Sequence, residues 1–298
     1  MLKDQYLQTI IGNLGIAISP ENNSEIIIKL DVLYDKKSDV FTLSNEYKIF
    51  YQDYGTIITD FQNTDFSNKE NLIEFFNKYC LFGLENKKLT SLFKDGKCSS
   101  SIYNSFVEKM VKKYKKPLIS YQKDINSILD YCVFSPNKKT ANFTPFERLC
   151  ILEYLPDNPS LLQSNSLQII RLNTLSDVDD SNCTELELAN LIKNKQCTAY
   201  SNSLYIPNDI SSLLKFELSE IIKDNIILKI CSYCGKYFIT SNRNTNYCNN
   251  IAPGYNTKTC KQIGRNKKYL ESKNNDAALS LFTQVYNNKA YKASRYKD

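Results

Sequence analysis

Four cysteines, Cys231, Cys234, Cys248 and Cys260, carry the clearest chemistry in the chain, at the spacing Cys-x2-Cys-x13-Cys-x11-Cys. The first pair reads Cys-Ser-Tyr-Cys-Gly-Lys-Tyr-Phe. Cys-x2-Cys followed at once by glycine is a turn that can aim two sulfurs at one ion. Gly235 suits that turn because the chain must double back with little steric room, often at positive φ. The chain has no histidine, so a four-ligand site of the usual nitrogen and sulfur kind must use all four sulfurs. Four thiolates set tetrahedrally point to Zn²⁺. A rubredoxin-like iron site has the same donor set and stays open as a reading. The plain alternative is four free thiols in a loop-rich tail. A zinc ion closed by four thiolates has no open position for water or substrate, which argues against zinc catalysis.

Missing residues constrain the chemistry further. Without histidine there is no Ser-His-Asp triad, no Cys-His protease and no His-Asn-His nuclease. The eight glycines form neither a Walker A loop nor G-x-G-x-x-G, so the usual nucleotide cradles are absent. Asp177, Asp179 and Asp180 cluster with Glu185 and Glu187. They read either as carboxylate ligands for Mg²⁺ or as a solvated acidic loop capping a helix from Cys183. An EF-hand is excluded, because position six is Asn182 and the closing glutamate is missing. The six other cysteines (Cys80, Cys98, Cys132, Cys150, Cys183 and Cys197) are scattered and read as reduced, partly buried small apolar residues. No signal peptide and no apolar span of about 18 residues is visible. A cytoplasmic location without a membrane partner is therefore expected.

Elements must position these residues. At 298 residues the chain has room for one large or two modest cores. The pattern gives an α+β protein. A body over 1–228 is β-rich in 1–66 and mainly helical in 67–228, and a basic four-cysteine domain follows over 229–298. Ile26–Val32, Val40–Leu43, Tyr47–Tyr51 and Ile57–Phe61 read as strands of a small antiparallel meander, with a turn at Asp-Lys-Lys-Ser. Leu72, Phe75, Phe76 and Tyr79 then follow a helical stripe. Ile102, Phe106, Met110 and Tyr114 form another, which Pro117 is expected to stop. Lys112, Lys113, Lys115 and Lys116 would then be the solvated end of that helix, although a nucleic-acid contact is the other reading. Thr144-Pro145-Phe146-Glu147 is a capping box with proline at the first helical position. Ser166–Thr174 fits a strand. Ile210, Leu213, Leu214, Leu218, Ile221 and Ile222 make a clean helical stripe.

Around the cysteines, Tyr237–Ile239 reads as a short strand. A helix from about Thr259 to Ser272 would hold Cys260 in its first turn, where the dipole favours a thiolate. Strand, turn and ligand-bearing helix together make a treble-clef-like module. A last helix, about Asp276 to Tyr296, has Leu279, Phe282, Tyr286 and Ala290 as its inner stripe.

The segment Lys229 to about Tyr296 resembles the C-terminal zinc-binding region of a bacterial family of unknown function, found in low-GC Gram-positive genomes and their mobile elements. The residues that carry the resemblance are Cys231, Cys234-Gly235-Lys236-Tyr237-Phe238, Tyr247-Cys248 and Thr259-Cys260-Lys261-Gln262-Ile263-Gly264, with the helix Ser212–Asn225 before them. More distantly, the segment is similar to the CGNR-type zinc fingers of bacterial transcription regulators, which pair a sensor-like domain with a DNA-binding finger. Here Cys260-Lys261-Gln262-Ile263 stands in place of Cys-Gly-Asn-Arg.

Charge is segregated along the chain. Residues 229–298 hold 13 Lys and Arg against 3 Asp and Glu, a balance of +10. Residues 1–228 hold 25 against 29, a balance of −4. A basic, metal-bearing tail on a mildly acidic body points to an anionic partner. The expected partner is nucleic acid, with DNA ahead of RNA, met by Arg243, Lys258, Lys261, Arg265, Lys267 and Lys268. Tyr247, Tyr255 and Tyr269 lie among these cations and fit either base stacking or local packing, with packing preferred for Tyr247. The competing readings are a protein-interaction adaptor with a purely structural zinc and an enzyme using carboxylates and Mg²⁺, such as a nuclease, in the N-terminal body. That body is also the surface expected to meet a protein partner.

Overall fold

The apolar run at Ile26 belongs to a long hairpin. In the computed structural model, β2 (Ser24–Asp35) pairs antiparallel with β3 (Val40–Asp53), with a register shift between Leu30 and Val32. The structure describes residues 15–19, 24–79, 92–93, 96–134, 136–163, 167–175, 184–196 and 199–295. Asp35 closes the hairpin turn by accepting from Lys37 N at 2.9 Å and Ser38 Oγ at 2.6 Å. This is the local bonding that suits aspartate to turns. Val40–Leu43 and Tyr47–Tyr51, read as two strands, are parts of the single strand β3.

The sheet is larger than the N-terminal segment alone would make. β1 (Gly15–Ser19), β4 (Lys97–Ser99), β5 (Leu167–Leu175) and β6 (Ala199–Pro207) complete the order β4-β3-β2-β1-β6-β5, with antiparallel pairings. The strand expected at Ser166–Thr174 is β5. β1 and β6 had no expected counterpart. The architecture is mixed α+β, with helices between the strands.

Two expectations are corrected. Ile57–Phe61 is not a strand but the centre of helix α1 (Thr56–Asn63), with Ile57, Ile58, Thr59 and Phe61 buried. A short apolar run fits a buried helix as well as a strand. Gly55, at φ 89, turns the chain out of β3 into the helix. After α2 (Lys69–Lys78), the helix α3 (Ser100–Leu129) runs straight through Pro117. Its buried stripe continues on both sides of the proline: Val107, Met110, Val111 and Tyr114 before it, Leu118, Ile125, Ile128 and Leu129 after it. Burial of that whole face outweighs the missing backbone donor and the ring clash. The Lys112–Lys116 cluster therefore lies in mid-helix, not at a helix end. Lys113 Nζ sits 4.6 Å from the Tyr114 ring centroid, and Lys115 Nζ donates to Ser67 O at 2.5 Å.

A π-helical stretch, Asp130–Phe134, extends α3. Helix α4 (Pro145–Tyr154) starts on the expected capping box, with Thr144 and Glu147 bonded reciprocally. Arg148 of α4 is buried and donates to the carbonyls of Cys132, Thr140 and Phe143. Cys98 and Cys132 are buried and Cys150 half-buried, all unpaired; Cys80, Cys183 and Cys197 lie outside the described residues. Helix α5 (Glu185–Lys193) is capped by Thr184, and Glu187 completes its capping box. Asp177, Asp179 and Asp180 lie outside the described residues. Helix α6 (Ile210–Lys223) buries the whole expected stripe.

The chain divides into two compact units, Met1–Ile226 and Ile227–Asp298. In the second, β7 (Ile227–Ile230) pairs with β8 (Tyr237–Thr240), and helices α7 (Cys260–Asn275) and α8 (Ala277–Arg295) follow. Phe282 and Tyr286, expected on an inner stripe of α8, are instead 67% and 63% exposed. Among the described residues no helix is long and apolar enough to cross a membrane.

Candidate metal centre

The β7–β8 hairpin carries Cys231 and Cys234 together in the turn between its strands. Cys231 N donates to Lys236 O at 2.8 Å and Gly235 N to Cys231 O at 2.9 Å. These two bonds fold the chain tightly around the sulfurs. Gly235 holds φ 73, where a Cβ would be strained. The loop after β8 returns to the hairpin through Ser232 N donating to Asn246 O at 2.9 Å. That contact seats Cys248 beside Cys231, and Cys248 N points at Cys231 Sγ, 3.4 Å away.

Cys260 arrives from the other side, at the first position of α7. Its N–H donates to Asn250 O at 2.9 Å, and Lys261 N to Cys248 O at 3.0 Å. The helix start is held by a capping box. Thr259 N donates to Gln262 Oε1 at 2.9 Å, and Gln262 N to Thr259 Oγ1 at 3.3 Å. Such a reciprocal cap fixes the entry angle of a helix and contributes about 1 kcal/mol.

Together these contacts converge the sulfurs. Those of Cys231, Cys234, Cys248 and Cys260 all lie within 4.8 Å of one another. Cys234 Sγ and Cys248 Sγ are 3.7 Å apart, far beyond the roughly 2.05 Å of a disulfide. Four sulfurs at about 2.3 Å from a tetrahedral zinc ion stand about 3.8 Å from one another. The donor set and its spacing thus fit a four-coordinate metal. Cys231, Cys248 and Cys260 are buried and Cys234 half-buried, so a bound ion would be screened from water.

The thiols differ when no ion balances them. Burial pushes Cys231 upward, but backbone N–H groups, that of Cys234 foremost, outweigh it and bring the thiol down to about 7. Burial pushes Cys248 up to about 11, and burial and then the neighbouring thiols raise Cys260 as well. A cation would supply the stabilisation that protons otherwise provide.

Packing around the cluster identifies residues whose role the spacing alone did not reveal. Tyr233, Phe238, Tyr247 and Ile263 pack against it. The Tyr247 ring lies directly over Gly264 of α7, so close that an added Cβ would sit 2.3 Å from the ring. Tyr247 is thus a packing residue, as preferred, and Gly264 is the gap that admits it. Tyr255 is 43% exposed, with Lys258 Nζ 5.8 Å from its ring centroid.

The six cations selected from the sequence are only partly brought together. Arg243 and Lys258 are exposed in the loops leading to α7, and the Arg243 carbonyl accepts from Lys229 Nζ. Lys261 and Arg265, four apart, share a face of α7. Lys267 is seven residues after Cys260 and lies on the cysteine's face of the helix. Lys268 is in α7, but its side chain, like that of Tyr269, lies outside the described residues.

Comparison with known proteins adds one match. Residues 188–297 match a family described as "Family of unknown function (DUF6076)". The match takes in α6, all four cysteines and the six cations, a little over a third of the chain. No curated protein and no solved structure matches the chain.

Proposed function

We propose that the second unit is a structural zinc module, of treble-clef type, whose basic surface binds the phosphate backbone of nucleic acid. The observation that carries the metal half is the convergence of four cysteine sulfurs within 4.8 Å, with nitrogen ligands excluded by the lack of histidine. Zinc there would join the hairpin, the loop and α7, and a closed four-thiolate shell supplies folding energy, not an open catalytic position. The nucleic-acid half is supported by the +10 balance of residues 229–298 and by exposed Arg243, Lys258 and Arg265 around the cluster. DNA is preferred to RNA on the distant resemblance to CGNR-type fingers alone.

Two measurements test this reading. The purified chain should contain about one zinc per molecule, and Ser at any one of the four cysteines should lower that content. Nucleic-acid affinity should fall with salt at a log–log slope of about −3 to −4, as for about four phosphate contacts. Arg265→Ala, Lys267→Ala and Lys268→Ala combined should flatten the slope while zinc is retained. Binding that ignores salt or survives the triple change would sink the nucleic-acid half.

A second reading, a protein-interaction adaptor with structural zinc, is favoured by α8. Leu281, Phe282, Val285, Tyr286 and Tyr291 are all exposed on that helix, an unusual density of uncovered apolar surface.

A further inference from the structure

Two glutamates, Glu25 of β2 and Glu217 of α6, are fully buried in the first unit, whereas the four cysteines belong to the second. Carboxylates are almost never buried without a compensating partner. Among the described residues no cation supplies it, and the two carboxyls instead lie close enough to share a hydrogen bond. They meet at the start of α1. Glu25 accepts from Gly55 N, from Ile57 N at 3.3 Å and from Gln52 Nε2. Glu217 Oε1 accepts from Ile58 N at 3.2 Å, while among the described residues no donor reaches Glu217 Oε2.

That asymmetry assigns the roles. Glu25 is surrounded by donors and is the ionised partner. Glu217 Oε2 has no donor and faces another carboxyl, so it carries the proton and donates it to Glu25. We propose that Glu25 and Glu217 form a binding site for one proton, whose occupancy clamps β2, α1 and α6 together and whose loss loosens the body.

Among the described residues, the charged and titratable groups around the pair do not supply a substitute for the proton. Asp60 of α1 pairs with Lys78 of α2 and accepts from Tyr79. Tyr54, between β3 and α1, donates to the Glu217 carbonyl at 3.4 Å. Glu220 of α6 pairs with Lys223, and Asp224 follows that helix. Burial first, and then Glu25 itself, raise Glu217 well above the ordinary carboxylate range; burial also raises Glu25, against the bonds that it accepts. An acid whose folded-state value is raised stabilises the fold below its unfolded value of about 4.3, and that contribution is lost as pH rises toward the folded value.

The test compares the full-length wild type with Glu217→Gln, whose amide can still donate to Glu25. Unfolding of the wild type above about pH 5 should release one proton more than unfolding of E217Q, so its unfolding constant should climb about tenfold more per pH unit. Reading the difference cancels protons taken up by the cysteines, which are the same in both chains. Equal pH slopes would overturn the proposal. Should E217Q fail to fold, the infrared C=O stretch of a protonated, buried carboxyl in the folded wild type at neutral pH decides. Its presence, with loss on alkaline titration, supports the shared proton, and its absence overturns it.

Discussion

Around the metal centre, the least conspicuous residue sets the tightest constraint. Gly264 has no special backbone angle; it is required because the Tyr247 ring occupies the space of its missing side chain. Gly264→Ala should therefore push the ring off α7 and destabilise the second unit by about 1–3 kcal/mol, the range for overpacking. Faster zinc loss to a chelator would report the change, and unchanged release would mean that the ring simply moves aside. The four cysteines were legible in the sequence because sulfur ligands carry a spacing rule. Tyr247 and Gly264 were visible only as neighbours of the cysteines, since no spacing rule relates a ring to the gap it fills. The Glu25–Glu217 pair was not legible at all. Nothing local marks either glutamate as buried, and 192 positions separate them.

Elements with caps were readable, and elements defined by distant partners were not. The capping box at Thr144 and the stripe of α6 are local patterns, and the structure contains both. β6 alternates weakly and finds its identity only by pairing with β5 and β1. α1 was misread because three apolar residues in a run of five, Ile57, Ile58 and Phe61, fit a short strand as well as a buried helix face. α3 was cut short because proline is a strong local rule that tertiary burial overrode. The override has a measurable cost. Pro117→Ala restores a backbone donor and removes the ring clash, and some of that gain is offset by greater freedom of the unfolded chain. The variant should be more stable by roughly 1–2 kcal/mol, read as a higher midpoint in denaturant. A lower midpoint would mean that the ring packs usefully in the helix groove.

At the scale of the whole molecule, two units of unlike charge and unlike support share one chain. Among the described residues, the second unit buries little besides Leu228, its cysteine cluster and the side chains packed on that cluster, whereas the first buries long aromatic and aliphatic stripes. Removing zinc from the centre proposed here should unfold the second unit and leave the first intact. Chelation followed by limited proteolysis should then yield a fragment ending near residue 226. Digestion of the whole chain at one rate would show a single cooperative unit instead. The six-stranded sheet has a consequence for how the protein is made. Ile18 of β1 pairs with Tyr205 of β6, 187 positions later. A ribosome adding about 5–20 residues per second needs some 10–40 seconds to cover that distance. Throughout that interval the free edge of β1 is exposed to other nascent chains on the same messenger, and edge strands left open in this way are where neighbouring copies join. Slow translation between these two strands would therefore lower the yield of folded monomer, and a chaperone that shields strand edges would restore it.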